Sequence, residues 1–160
     1  AETMNNSWGF NITDDHYKSA AGLIRYVVRA AGMNANFLLN VGPMPNGEIQ
    51  PEFVERLAEI GNWTKQYGQS IYGTRGGPLP AGPWGVTTQR GSTVYVHVLD
   101  CNQPLLALGG IPRTVRSAKL LRDGSSVEVS VVKGGLVLKL PEAQPEEVDR
   151  VIELELEPAK

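Results

Sequence analysis

Residues Asn36-Phe37-Leu38-Leu39-Asn40-Val41-Gly42-Pro43 are followed by Asn46-Gly47-Glu48-Ile49 and by an amphipathic segment that opens with Pro51. Extended, mostly apolar residues that feed a Gly-Pro turn and then a helix form the unit of an α/β protein, whose parallel strands are covered on both faces. In such folds ligands sit on the loops that leave the carboxyl ends of the strands. One unit cannot make a sheet, and a barrel of eight usually takes about 250 residues. The chain has 160. It therefore carries a clear α/β signature with too little chain to complete it.

Upstream, the apolar residues Ala20, Leu23, Ile24, Val27, Val28 and Ala31 repeat at the spacing of a helix with one buried stripe. This predicts a helix from Lys18 to Ala31, stopped by Gly32 and capped by an oxygen of Asp14, Asp15 or Ser19. A strand is expected from Phe37 to Val41. A second helix is expected from Pro51 to Tyr67, with Phe53, Val54, Leu57, Ile60 and Trp63 facing inward and Gly68 at its end. Pro51 suits the first helical position, where its missing N–H costs nothing.

After Tyr72 the period changes. The Gly/Pro-rich stretch from Gly73 to Pro83 reads as a connector between domains. Beyond it, Thr93–Leu99, Ser126–Val132, Gly135–Pro141 and Arg150–Leu156 are rich in β-branched residues or alternate polar with apolar. Lys133-Gly134-Gly135 and Asp123-Gly124 supply tight turns. Five to seven short strands with such turns suggest an antiparallel sandwich. The expected fold is α+β. Residues 1–75 read as a terminal helix–strand–helix piece of a (β/α) barrel, and residues 76–160 as an antiparallel β-sandwich.

The formal charge of −2 gives no electrostatic case for a nucleic-acid partner. No apolar run approaches the roughly 20 residues of a membrane helix, so no membrane partner is expected. Ala1-Glu2-Thr3-Met4 shows neither the basic nor the apolar region of a signal peptide, and the absent initiator Met suggests a start inside a longer protein. Cys101 is a single cysteine, read as a buried or semi-buried inert thiol. His16 and His97 lack metal-ligand spacing, and His97 is expected on a strand face. Neither a metal site nor a cofactor is expected.

Four blocks carry a resemblance: Glu2-Thr3-Met4-Asn5-Asn6-Ser7-Trp8-Gly9-Phe10, the Asn36–Pro43 strand and turn, Asn46-Gly47-Glu48-Ile49, and Gly68-Gln69-Ser70-Ile71-Tyr72-Gly73-Thr74. In order and spacing they resemble the C-terminal third of family 29 α-L-fucosidases. The resemblance implies a secreted, periplasmic or lysosomal exo-glycosidase that acts on fucosylated glycans, with a catalytic barrel and a C-terminal β-sandwich. It also implies retention, with an aspartate nucleophile and a glutamate acid/base. The nucleophile region has no counterpart here, and the family's glutamate falls, in register, just before Ala1. A fragment without a complete active site, inactive alone, is thus expected; a non-catalytic carbohydrate-binding or structural sandwich is the alternative, motivated by Trp84 and Tyr95.

Glu2 is the candidate acid/base if the loop is shorter in this relative, against a solvated loop carboxylate as the favoured reading. Trp8 is the candidate for substrate binding, because an indole face stacks on the apolar C–H side of a sugar. Asn5 and Asn6 are read as turn formers, Asn40 as an internal hydrogen-bonding residue, and Gly42-Pro43 as a turn. With its sheet missing, the stripe of Leu23, Ile24, Val27 and Val28 is expected to promote self-association.

Overall fold

A computed structural model describes residues 1–111 and 113–158. The helical half runs β1 (Glu2–Thr3), α1 (Ala20–Gly32), β2 (Leu39–Asn40) and α2 (Pro51–Tyr67), which tightens into a 3-10 turn at Gly68–Ser70. The strands β3 (Arg75–Gly76), β4 (Gly85–Arg90), β5 (Thr93–Val98), β6 (Leu105–Gly109), β7 (Val115–Leu120), β8 (Val129–Val132), β9 (Gly135–Lys139) and β10 (Arg150–Leu156) follow.

β1 and β2 pair in parallel, Glu2 opposite Leu39 and Thr3 opposite Asn40, with α1 as the crossover. Two strand–helix units are therefore present, one strand more than the periodicity suggested. The predicted strand from Phe37 to Val41 is shorter, because only Leu39 and Asn40 meet a neighbouring backbone. Leu38 is exposed.

Of the three candidate caps for α1, Ser19 serves: its hydroxyl accepts from the Gly22 N–H at 3.1 Å. The helix passes through Gly32, and the left-handed residue beyond its end is Asn34, at φ 56°. Gly32 is needed for space instead, since a Cβ there would lie 2.5 Å from Cβ of Val86 on β4. Leu23, Ile24 and Val28 are buried as the spacing predicts. In α2, Phe53, Trp63 and Tyr67 are buried, but Val54 and Leu57 are exposed, contrary to expectation. A helix buries only the stripe that meets a neighbour, and these two residues lie outside it.

The eight later strands form a five-stranded sheet, β3-β4-β5-β10-β7, and a three-stranded sheet, β6-β9-β8. Alternation along β5 explains the layering. Val94, Val96 and Val98 join Leu106, Leu138, Ile152 and Leu154 in the sandwich core. Tyr95 and Leu99 point the other way and pack with Ile24, Val28, Trp63, Tyr67 and Val86. The large sheet is thus covered by the small sheet on one face and by the helices on the other. That second contact covers Ile24 and Val28 within the chain, while Leu23 packs with Met4 and Phe53. Three of the four residues of the stripe, Leu23, Ile24 and Val28, are thus buried within the chain, each contributing about 1.5–3 kcal/mol, while Val27 is half-buried.

Four of the later strands escaped the sequence reading: Arg75–Gly76, Gly85–Arg90, Leu105–Gly109 and Val115–Leu120. The stretch from Ser126 to Val132 also divides: the Val127 N–H donates to Ala118 O at 2.9 Å, whereas Val129–Val132 pairs with β9 in the other sheet. Arg75–Gly76, inside the Gly/Pro connector, pairs with β4. The turn between β8 and β9 is Lys133-Gly134, with Gly134 at φ 85°.

Candidate functional site

Parallel pairing of β1 and β2 sends the loops that follow them, Met4–Lys18 and Val41–Gln50, out at the same end. Trp8 sits on the first of these loops with 59% of its surface exposed. Two contacts from β2 and its turn hold it there. The Asn40 side-chain amide donates to the Trp8 carbonyl at 2.7 Å. Gly42 lies beneath Gly9 and Phe10, where a Cβ would come within 2.8 Å of the Gly9 backbone. Asn40 therefore makes the internal hydrogen bond expected of it, and Gly42 does more than turn the chain. An exposed indole on an anchored backbone is suited to stacking on the apolar face of a ring-shaped polyol.

The base of the same loop is organised by two side chains that the sequence reading did not place there. The Lys18 ammonium donates to Thr3 O and Asn5 O, both at 2.9 Å, and lies 3.1 Å from Glu2 Oε1. The buried carboxylate of Asp14 accepts from the Ser7 hydroxyl at 2.7 Å and from the Asn6 N–H at 2.9 Å. Asp14 closes the loop and does not cap α1. Asn5 is buried and accepts from the Ser7 N–H at 3.1 Å, the turn role expected of it. Its Nδ2 has no partner among the described residues. Charge and loop polarity were visible in the sequence. That Lys18 returns to residues only 13 and 15 positions earlier was not.

Glu2 faces the same network. Its Oε1 accepts from the Thr3 N–H at 3.0 Å. That hydrogen bond first, and Lys18 second, hold the carboxyl below its ordinary range. A general acid needs the opposite shift, upward toward the working pH. The Ser7 hydroxyl, above all, likewise lowers Asp14. Both groups stabilise the loop above the ordinary carboxylate range, and that contribution is lost as the pH falls through their lowered values. Replacing Lys18 with methionine is expected to speed amide exchange at residues 3–8 and to cost about 1–2 kcal/mol. Urea denaturation and hydrogen exchange read both, and unchanged exchange at these residues would rule out the organising role.

His97 lies elsewhere, fully buried on β5. Its Nδ1 is 2.6 Å from Asp149 Oδ2 and its Nε2 is 3.2 Å from Thr88 Oγ1, whose hydroxyl donates to Ser70 O at 2.5 Å. The chain of contacts is sealed from solvent and joins the 3-10 turn, β4, β5 and the approach to β10. Trp84 packs half-buried against the sandwich core and Tyr95 is buried. Cys101 is half-buried.

Residues 1–69 match the family model described as alpha-L-fucosidase. Over 158 residues the chain is 31% identical to an alpha-L-fucosidase of Dictyostelium discoideum, covering 91% of this chain and 34% of that protein. It is 28% identical to the human plasma alpha-L-fucosidase, over 85% of this chain and 32% of that one. Among solved structures, alpha-L-fucosidase isoenzyme 1 from Paenibacillus thiaminolyticus superposes with a TM-score of 0.87 at 37% identity, over 97% of this chain and 38% of that one. The chain spans about a third of the length of the curated relatives it matches.

Proposed function

The chain belongs to the α-L-fucosidase family, glycoside hydrolase family 29, and on that premise we propose that it works as the C-terminal part of a retaining α-L-fucosidase. Residues 1–75 would supply two strand–helix units to the catalytic barrel, and residues 76–160 the sandwich that braces them. The observation that carries this reading is the anchored, exposed Trp8 on the loop leaving β1, beside the loop leaving the parallel strand β2. That is where an α/β barrel builds its active site.

Retention requires two carboxyl groups about 5–5.5 Å apart, one attacking the anomeric carbon and one protonating the leaving oxygen. The Thr3 N–H and then Lys18 hold the Glu2 carboxyl below its ordinary range, so it is poorly suited to the second task. The acid/base and the nucleophile would come from other residues of the full enzyme. A covalent intermediate trapped with 2-fluoro-fucosyl fluoride in the Bacteroides thetaiotaomicron enzyme supports a retaining route in this family. Within this chain the roles left are positional. Trp8 would wall the fucose pocket, with Asn40, Gly42, Lys18 and Asp14 keeping it in place. Exposed Leu38, Val54 and Leu57 offer surface that further barrel elements would cover. The family's secretory or lysosomal setting is the one we propose for the full enzyme; no helix among the described residues is long and apolar enough to cross a membrane.

The 160-residue chain alone is expected to hydrolyse an aryl α-L-fucoside no faster than buffer. Without paired carboxylates there is little to stabilise the transition state. Turnover that disappears in Glu2→Gln would overturn both the inactivity and the positional role given to Glu2.

A further inference from the structure

The Ser70 carbonyl and the side chains of Thr88, His97 and Asp149 form one buried array between the helical half and the sandwich. Its protons can be counted. The Thr88 hydroxyl has a single proton, and the Ser70 carbonyl 2.5 Å away can only accept, so that proton lies between them. Toward His97 the same oxygen is left as an acceptor. The His97 Nε2, at 3.2 Å, must therefore carry a proton to donate. The contact between His97 Nδ1 and Asp149 Oδ2 at 2.6 Å needs a second proton, whichever of the two atoms holds it.

Two protons make the His97–Asp149 pair neutral as a unit, which suits a site sealed from solvent. One fewer would leave a net negative charge inside. Among the described residues nothing else relieves it. Asp149 Oδ1 has no partner, Arg122 and Arg150 are both engaged by Glu147, and Arg122 also by Asp123. Tyr67 of α2 and Tyr95 of β5, the latter beside Arg90 and Glu153, line the same interface. Burial above all raises both hydroxyls, so neither changes charge near neutral pH.

We propose that Ser70, Thr88 and His97 form a proton-dependent latch between the two halves, closed while the His97–Asp149 pair holds two protons. Loss of one leaves Nδ1–H donating to Asp149 and Nε2 bare. The Thr88 hydroxyl then turns its only proton to Nε2, and the Ser70 carbonyl loses its donor. The direction with pH follows from the count. In an unfolded chain an imidazole gives up its proton above about pH 6.5 and an aspartic acid above about pH 3.9. Above the first value the folded pair holds one proton more than the unfolded chain, so unfolding releases it and rising pH favours unfolding. The latch therefore contributes fully between those two values and weakens on the alkaline side. It lies away from the Trp8 loop and does not depend on the fucosidase reading.

The test combines proton–nitrogen NMR of the His97 ring in the full chain, at about pH 7, with urea unfolding at pH values on either side of about 6.5. A directly bonded proton at Nε2 and a strongly deshielded proton between Nδ1 and Oδ2 are expected. The unfolding constant should rise by up to about tenfold per pH unit above about pH 6.5, and His97→Leu/Asp149→Leu should flatten that rise. Amide exchange at Ile71, Tyr72 and Thr74, corrected for its intrinsic pH dependence, should quicken over the same range. A bare Nε2 at about pH 7 overturns the proposal, as does a rise that survives in the double variant. Unchanged exchange at the three amides would refute the release of Ser70. The ring spectrum needs no substitution, so it decides the matter even where the double variant fails to fold.

Discussion

Substituting His97 with leucine is expected to cost about 3–5 kcal/mol, a large share of the 5–15 kcal/mol that holds a typical domain together. The loss comes less from the missing contact than from what it strands. Asp149 is buried, and its Oδ1 already lacks a partner among the described residues. Without the imidazole 2.6 Å away, its Oδ2 would be uncompensated as well. Removing both partners should therefore hurt less than removing one: His97→Leu/Asp149→Leu is expected to recover part of the loss, because two apolar side chains leave no buried charge behind. Urea midpoints for the two single variants and the double variant close the cycle. Strict additivity, or a loss below about 1 kcal/mol for His97→Leu, would show that the array carries no coupled stability.

Gly85→Ala should be at least as damaging, for a steric reason. Gly85 opens β4 at φ 150°, and a Cβ there would fall 1.8 Å from the carbonyl oxygen of His97. That oxygen is backbone on the neighbouring strand, so neither side can yield without shifting the ladder that pairs Gly85 with Val98 and Val86 with His97. Strand slippage would carry away Val86, which packs against Gly32 and the α1 stripe, and with it the contact between the two halves. A loss above about 4 kcal/mol, or failure to fold, is expected. Gly91→Ala is the control. At φ 61° with nothing within 4 Å, it meets only backbone strain, about 1–2 kcal/mol. Equal melting temperatures for the two variants would refute the steric account.

Both positions show how much of the molecule could be read from the chain. The stripe of Leu23, Ile24 and Val28, the Pro51 start and the Lys133-Gly134 turn follow from neighbours a few residues apart, and the structure keeps them. The errors share a different cause. Val54 and Leu57 looked buried because helical spacing gives a stripe but not its width. Ser126–Val132 looked like one strand because alternation continues while the chain changes sheets. Trp8 was legible as a candidate; of the two anchors that hold its loop, Asn40 was legible as an internal hydrogen-bonding amide and Gly42 as a turn, but not that both meet the Trp8 loop. Nothing near His97 in sequence announces Asp149, which lies 52 residues away.

The order of residues alone determined the helix registers, the turns, the change of period after Tyr72 and the likeness to fucosidases, because each depends on side chains that are close along the chain. Tertiary structure decided which faces are covered and which partners meet: that α1 and α2 lie on the large sheet, that Lys18 and Asp14 tie down the Trp8 loop, and that Asp149 meets His97 in the interior. Those outcomes depend on segments tens of residues apart meeting at atomic distance, and burial changes what a charged or polar group needs from its partners.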